Sequence, residues 1–554
     1  MSKHRPDRRC PRQRRPRRFG FFLLVTLVTV SVATLAVYSF TETMVVMDDS
    51  AHLESEIVQA EQGVQSGIGM MRLLLSQPAE QRTAIGGTYN NPQLFRAVNL
   101  SADQPSDFHF ASVATGLTSD GRLGGLRFGL VDESSKLNVN ALAVLDRNSE
   151  LLMPAMTMLI GEDNELAYDN IAVSLLMSLP GMTEDTADAI LDWIDEDSEP
   201  REYGAEDEYY LALPTAYSAA NAPVQSVDDL LLVRGVTAPL LYGADANRNG
   251  ILDADEQQHY GVSIDTPGAL GWAAYLTVHG SESNLGPTGT PRVNINVDDL
   301  ETLYDDLVTA MGDETYASYV IAFRMYGQSA AAAIDAFAEP SNDDSDNGGQ
   351  TIDGGIWTAE AMGKLDLTAG GKLEVTQILD LVGSTVEIPG ETAVVFQSPF
   401  AADPVSMSTY LPLLMDSIAT SDAASLPGRI NVNECPAELL AGIPILDDET
   451  IAAIIENREP MSDDPGRRHA TWLLSEGIVS IETMRALTPL ICGSGSVFRG
   501  QWVAFDATGG AYRRAETIVD ATSPNPKVIS FRDLSHLGRG FDLSVLGAST
   551  FAVE

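Results

Sequence analysis

The sharpest chemical signal is the run DANRNGILDADE at residues 245–256. Oxygen-bearing side chains fall at the first, third, fifth, ninth and twelfth positions: Asp245, Asn247, Asn249, Asp253 and Glu256. Gly250 stands at the sixth, where an EF-hand-type loop turns sharply. Ile251 follows at the seventh, where the backbone carbonyl serves as ligand. Leu252 supplies the apolar residue that pins such a loop to a core. This pattern predicts one Ca²⁺. Mg²⁺ suits it less, because a bidentate Glu and a high ligand count favour the larger ion. Two neutral Asn ligands point to an affinity for a calcium-rich exterior rather than that of a cytosolic buffer.

A second carboxylate set lies in the acidic stretch 192–208, where Pro200 and Gly204 force a loop. Asp192, Asp195, Asp197 and Glu206 are the residues that would hold a further cation there, the alternative being a solvated charge run. Cys435 and Cys492 are a candidate disulfide. Two separate buried thiols are the other reading. Histidines are scattered without HxxxH or CxxC spacing, which argues against zinc. Gly371-Lys372 is followed by Leu373, so there is no P-loop, and no nucleophile–His–acid arrangement stands out; the chain reads as a non-enzyme.

These residues sit in a chain of 554 with 34 Lys and Arg against 78 Asp and Glu, a net charge of −44. Nine of the basic groups lie in the first 20 residues. A body this acidic is repelled by phosphate backbones, which argues against nucleic acid as a partner. Phe21 to Phe40 is free of charge, and at ~1.5 Å per residue it spans roughly the 30 Å hydrocarbon layer as a helix. The arginine block before it stays cytoplasmic by the positive-inside rule, placing the body outside. Leu53, Ile57, Ala60, Val64, Ile68, Met71 and Leu75 recur at three- and four-residue spacing, so anchor and stripe predict one helix of more than 50 residues, stopped by Pro78.

In the body, one pattern occurs three times: Leu137-Asn138-Val139-Asn140, Val293-Asn294-Ile295-Asn296 and Ile430-Asn431-Val432-Asn433. Each reads as a short extended segment before a helix, with the second Asn placed to cap it. Helical hairpins follow, one turning at Pro180-Gly181. Hairpins of this kind suggest, as an alternative function, a membrane-anchored helix-hairpin-helix DNA-uptake receptor. Against it, Glu184, Asp185 and Asp188 flank the turn. Residues 497–521 read as a hairpin across Thr508-Gly509-Gly510, and Lys527–Leu534 as a further extended segment.

Several motifs together resemble the type II secretion system protein K family (general secretion pathway protein K), the atypical minor pseudopilins. They are a basic leader ending in Gly20 before Phe21, VDESSKLNVNAL at 131–142, ILDWIDEDSEPREYGAEDEYY at 190–210, SVDDLLLVRGVT at 226–237, the RVNINV and RINVNE segments, and FRDLSHLGRG near the end. Val25 stands where most prepilins carry Glu, and members of this family commonly lack that glutamate. The resemblance implies an α+β, type IV pilin-like fold: a long N-terminal helix on an antiparallel sheet, with a large inserted helical domain of helix-hairpin or SAM-like modules. It implies cleavage between Gly20 and Phe21 by the prepilin peptidase. It further implies a single-pass inner-membrane protein with a periplasmic body, at the tip of the pseudopilus, helping to initiate its assembly and the export of folded proteins. The partners implied are the I- and J-type minor pseudopilins and the major pseudopilin.

The expected organisation is a leader at 1–20, a transmembrane helix at 21–40, its amphipathic continuation at 41–77 and strands at 78–131. A first helical module follows at 132–290, with the acidic loop and the EF-hand-type loop, then a second at 291–337. A linker and inserted segment at 338–429, a third hairpin module at 430–490 and strands at 491–554 complete it.

Overall fold

The computed structural model describes residues 19–100, 108–160, 166–329, 351–390, 392–460, 462 and 464–547. The leader before Phe19 and the first part of the expected linker lie outside these residues.

Helix α1 runs unbroken over Phe19–Leu75, 57 residues, as the continuous periodicity predicts. From Gly20 to Val58 it is exposed nearly throughout, with Phe21, Leu23 and Leu35 about 70% accessible. Among the described residues it is the one helix long and apolar enough to cross a membrane. Beyond residue 59 one face is buried: Ala60, Val64, Ile68, Met71, Leu74 and Leu75. Leu53 and Ile57, expected on that face, remain exposed, because the sheet does not reach that far down the helix.

The sheet is antiparallel and assembled from both ends of the chain. β1 (Val98–Asn99), β2 (Phe108–Leu117), β3 (Leu123–Phe128) and β4 (Val131–Asp132) come first. β5 (Val497–Asp506), β6 (Tyr512–Asp520) and β7 (Lys527–Asp533) come last. The order is β1-β2-β5-β6-β7, with β3 paired to β2 and β4 to β5. The predicted hairpin is the β5–β6 pair, registered from Val497↔Asp520 to Phe505↔Tyr512. Helix and sheet touch closely because Gly63 and Gly67 carry no side chain. A Cβ on Gly63 would stand 2.6 Å from that of Ala504, and one on Gly67 would overlap the Trp502 ring.

Between β4 and β5 the chain builds a helical body with its own core. It consists of three units, each opened by one Asn pattern and closed by a short parallel strand pair: Leu137–Asn138 with Leu276–Thr277, Val293–Asn294 with Ile418–Ala419, and Ile430–Asn431 with Ile491–Cys492. The second unit therefore extends well beyond 337. Much of the expected linker and inserted segment is ordered structure within it, including a three-stranded sheet and the helix Pro404–Ser417.

The second Asn does not cap the next helix. The first Asn makes a local turn instead: Asn138, Asn294 and Asn431 each accept from the N–H two residues on, at 3.0 Å, and only Asn138 stands directly before a helix, Val139–Ile160. The second reaches across the unit. Asn140 holds both the N–H and the C=O of Val224 (2.9 and 3.0 Å), Asn296 does the same to Val375, and Asn433 donates to Arg467 and Gly493 carbonyls. A two-residue strand pair is too short to close a unit alone, and this clamp adds the missing cross-links.

Candidate cation sites

In the 245–256 loop the side-chain oxygens turn inward by a chain of local bonds. Asp245 accepts from the N–H of Asn249 (Oδ1, 3.0 Å) and of Gly250 (Oδ2, 2.8 Å). Asn247 Oδ1 accepts from Asn249 N–H, and Asn249 Oδ1 from Ile251 N–H, both at 2.9 Å. Gly250 has φ of +80°, which its lack of a side chain permits. Asp253 caps the helix Ala254–Tyr260 in a capping box with Glu256. The Glu256 oxygens accept from Asn247 N–H (3.2 Å) and Asp253 N–H (3.0 Å), bringing the twelfth position back over the third. Leu252 is buried with Ala244 and Ala269.

The electrostatics leave room for positive charge. Burial pushes the Asp245 carboxyl up to about 6, and the Glu256 carboxylate adds to the rise. The Asn247 and Asn249 amides both turn their N–H groups onto Asp253 Oδ2, at 2.6 and 3.2 Å. Partial positive charge thus stands where a cation between these residues would be. The set fits Ca²⁺ in donor chemistry: hard oxygens, three of them carboxylate-borne.

The sequence did not reveal what this loop rests on. Thr115 on β2 donates to Gly250 O (2.7 Å), Gln501 on β5 to Arg248 O (3.0 Å), and Arg514 on β6 to the carbonyls of Asn247 (2.8 Å) and Arg248 (2.6 Å). Asn249 donates to Gly540 O at 2.6 Å. The loop belongs to the helical body, yet its backbone is fastened to the sheet. No sequence spacing signals contacts that lie over 130 positions apart.

Of the four acids proposed in the other set, the structure brings three together. Oxygens of Asp195, Asp197 and Glu206 lie within 4.8 Å of one another. Asp195 Oδ1 and both Glu206 oxygens are buried without a well-formed hydrogen bond, and only the weak pull of Asn221 and the Asp207 N–H opposes the rise at Glu206. Burial pushes Asp195 up to about 6, with Asp197 and Asp192 adding to it, and Glu206 is raised as well. Buried carboxylates without donors carry a desolvation cost that a cation would relieve. Asp192 is outside the cluster. It is fully buried, accepts from the N–H of Arg201 (3.3 Å) and faces its Nε at 3.6 Å. The arginine that holds it there was the feature the acid count missed.

The Cys435–Cys492 bond is not formed; both are buried free thiols. Cys492 Sγ instead donates to Arg429 O at 3.6 Å, and burial raises both thiols, Cys435 to about 12. Gly20 is the second residue of α1, exposed, with Phe21 after it.

Residues 135–242 match the family model for type II secretion system (T2SS), protein K. That stretch holds the DW-acidic-GAE-YY run and the SVDDLLLVRG segment. A type II secretion system protein K of Klebsiella pneumoniae is 44% identical over 52 residues, 9% of this chain and 16% of that protein. One of Pectobacterium carotovorum subsp. carotovorum is 36% identical over 89 residues, 14% of this chain and 27% of that protein. The matches thus span under a third of these relatives' own length. A solved GspK-GspI-GspJ complex from the enterotoxigenic Escherichia coli type 2 secretion system aligns over 85% of this chain and 96% of that one. The identity is 11% and the TM-score 0.28.

Proposed function

We propose that this chain is a minor pseudopilin of a type II protein secretion system, standing at the tip of the periplasmic pseudopilus and helping to initiate its assembly and the export of folded proteins. The observation that carries this reading is α1: one continuous helix, bare and apolar in its first half and packed on an antiparallel sheet in its second. That is the plan of a type IV pilin-like subunit. The protein K match at 135–242 falls within the helical body inserted between β4 and β5. In this reading the body is a non-enzymatic cap. The anchor is held in the inner membrane with the leader cytoplasmic, and the prepilin peptidase cuts between Gly20 and Phe21.

The partners proposed are the I- and J-type minor pseudopilins, with the major pseudopilin below them. Val25 offers no carboxylate to a neighbour's amino terminus, which favours a terminal position over a repeating one. The proposed cofactor is Ca²⁺ in the 245–256 loop, with Asp195, Asp197 and Glu206 as a second cation site.

Co-expression with I- and J-type pseudopilins and a prepilin peptidase tests the reading. The expected result is a mature chain beginning at Phe21 that co-purifies with both. Gly20→Glu should leave the leader in place. A mature end beyond residue 35, or a filament of this chain alone, would refute it.

A further inference from the structure

Four arginines, Arg82, Arg292, Arg429 and Arg468, line a cavity of about 300 Å³ at the end of α1 remote from its apolar half. Its wall has two acids. Glu282 is taken by Arg429 in a two-point pair, both bonds 2.7 Å. Asp416 is shared by His469 Nε2 at 2.6 Å and Arg468 at 3.2 Å, and Arg468 also faces Glu80 at 4.0 Å. Burial lowers the His469 pKa, so that ring adds no charge at neutral pH.

Arg82 and Arg292 are left over. Among the described residues neither side chain has a hydrogen bond or an ion pair, and Arg292 Nε is buried; Arg82 lies over the Phe498 ring at 5.7 Å, and Arg292 feels Asp416 and Glu282 only through space. Arg82 feels Asp132 through space, but that carboxylate already accepts from Ser134 N, Gly495 N and Asn431 Nδ2. Both are partly buried, and guanidinium groups drawn out of water without an acceptor are costly; a chain of net charge −44 has acids in excess to pair them if pairing were their purpose.

We propose that this cavity is an anion site that takes a carboxylate group through Arg82 and Arg292. The planar guanidinium fork matches a carboxylate at two points, and Arg429 with Glu282 shows that geometry on the same wall. The carboxylate comes either from a small free acid or from an acidic side chain of a polypeptide. The inference does not depend on the pseudopilin reading.

The test uses the full chain in detergent with calcium present, at constant ionic strength. Probes are succinate, inorganic phosphate and an amidated tetraglutamate peptide, read by calorimetry and melting temperature. Succinate or the peptide should bind and raise the melting temperature, and Arg82→Gln with Arg292→Gln should weaken that binding at least about tenfold. Without any anion the double variant should melt no lower than the parent, because it has lost two partly buried charges that no acceptor holds. Binding of succinate assigns a free acid; binding of the peptide alone assigns a polypeptide. Equal responses in parent and variant, a response to phosphate only, or a variant that melts lower without anion would each overturn the proposal.

Discussion

Arg514, fully buried on β6, donates Nη1 to the backbone carbonyl of Asn247 at 2.8 Å, and so ties the sheet to the third position of the candidate calcium loop. Its Nη2 holds the next carbonyl, that of Arg248. A cation held in this loop would share one segment of backbone with body–sheet docking. Calcium should raise the melting temperature of the folded chain by mass action, ~2.7 kcal/mol at a hundredfold excess over Kd. Glu256→Gln should abolish that shift. Arg514→Met should reduce it while leaving the loop's ligands in place. Calorimetry that detects no calcium binding at millimolar concentration would reduce the loop to a turn.

The trio Asp195, Asp197 and Glu206 makes a separable claim. If a cation sits there, two ions bind per chain, and Asp195→Asn with Glu206→Gln removes one without altering the 245–256 loop. Without a cation, the same double variant should gain stability at neutral pH, since the buried Asp195 Oδ1 and the buried Glu206 carboxylate, which hold no well-formed hydrogen bond, are relieved of charge. Equilibrium dialysis with calcium, beside melting curves in chelator, separates the two outcomes.

Gly67 sets the distance between α1 and the sheet. A Cβ there would overlap the Trp502 ring, whose side chain is fully buried. Gly67→Val should destabilise by ~1–3 kcal/mol through overpacking, despite valine's apolar character. Tryptophan fluorescence and melting temperature report it. Gly69, with nothing near its Cβ position, should accept Ala without loss.

What the sequence made legible was local. The helix of α1 shows in its spacing because every turn repeats the same requirement, and the β5–β6 hairpin shows because its strands are long and joined by a short turn. The 245–256 loop shows its inward-turned oxygens because twelve consecutive residues carry the whole set. The closure of the three units was hidden, since strands of two residues give no alternation to read. The role of Asn140 was hidden too: its partner Val224 lies 84 residues away, and local reasoning could only make it a cap. Leu53 and Ile57 misled in the opposite way, because periodicity reveals a face of the helix but not where the sheet beneath it ends.

Loss of water around Glu434, with Asp132 nearby, holds its carboxyl up to about 8, against the pull of Arg127 and Arg458. Asp132 itself is pushed up to about 6 by burial. A group whose folded pKa lies above its unfolded one keeps its proton more firmly when folded. Its contribution to stability is complete below the unfolded value, ~4.5, and is lost as pH rises through the folded value. Stability should therefore fall between about pH 5 and pH 9, the reverse of the trend for a salt-bridged carboxylate. Glu133 runs the other way: burial would raise it, but Arg499, with bonds of 2.7 and 3.0 Å, holds it down to about 2, so its contribution is full above ~4.5 and is lost as pH falls from there through the folded value. Glu434→Gln removes the proton that must be held and should flatten the decline above pH 6. Melting temperatures of parent and variant from pH 5 to 9, at fixed calcium, decide it. Parallel curves would mean that Glu434 is ionised in the folded chain across that range, paired with Arg127 or Arg458 rather than neutral.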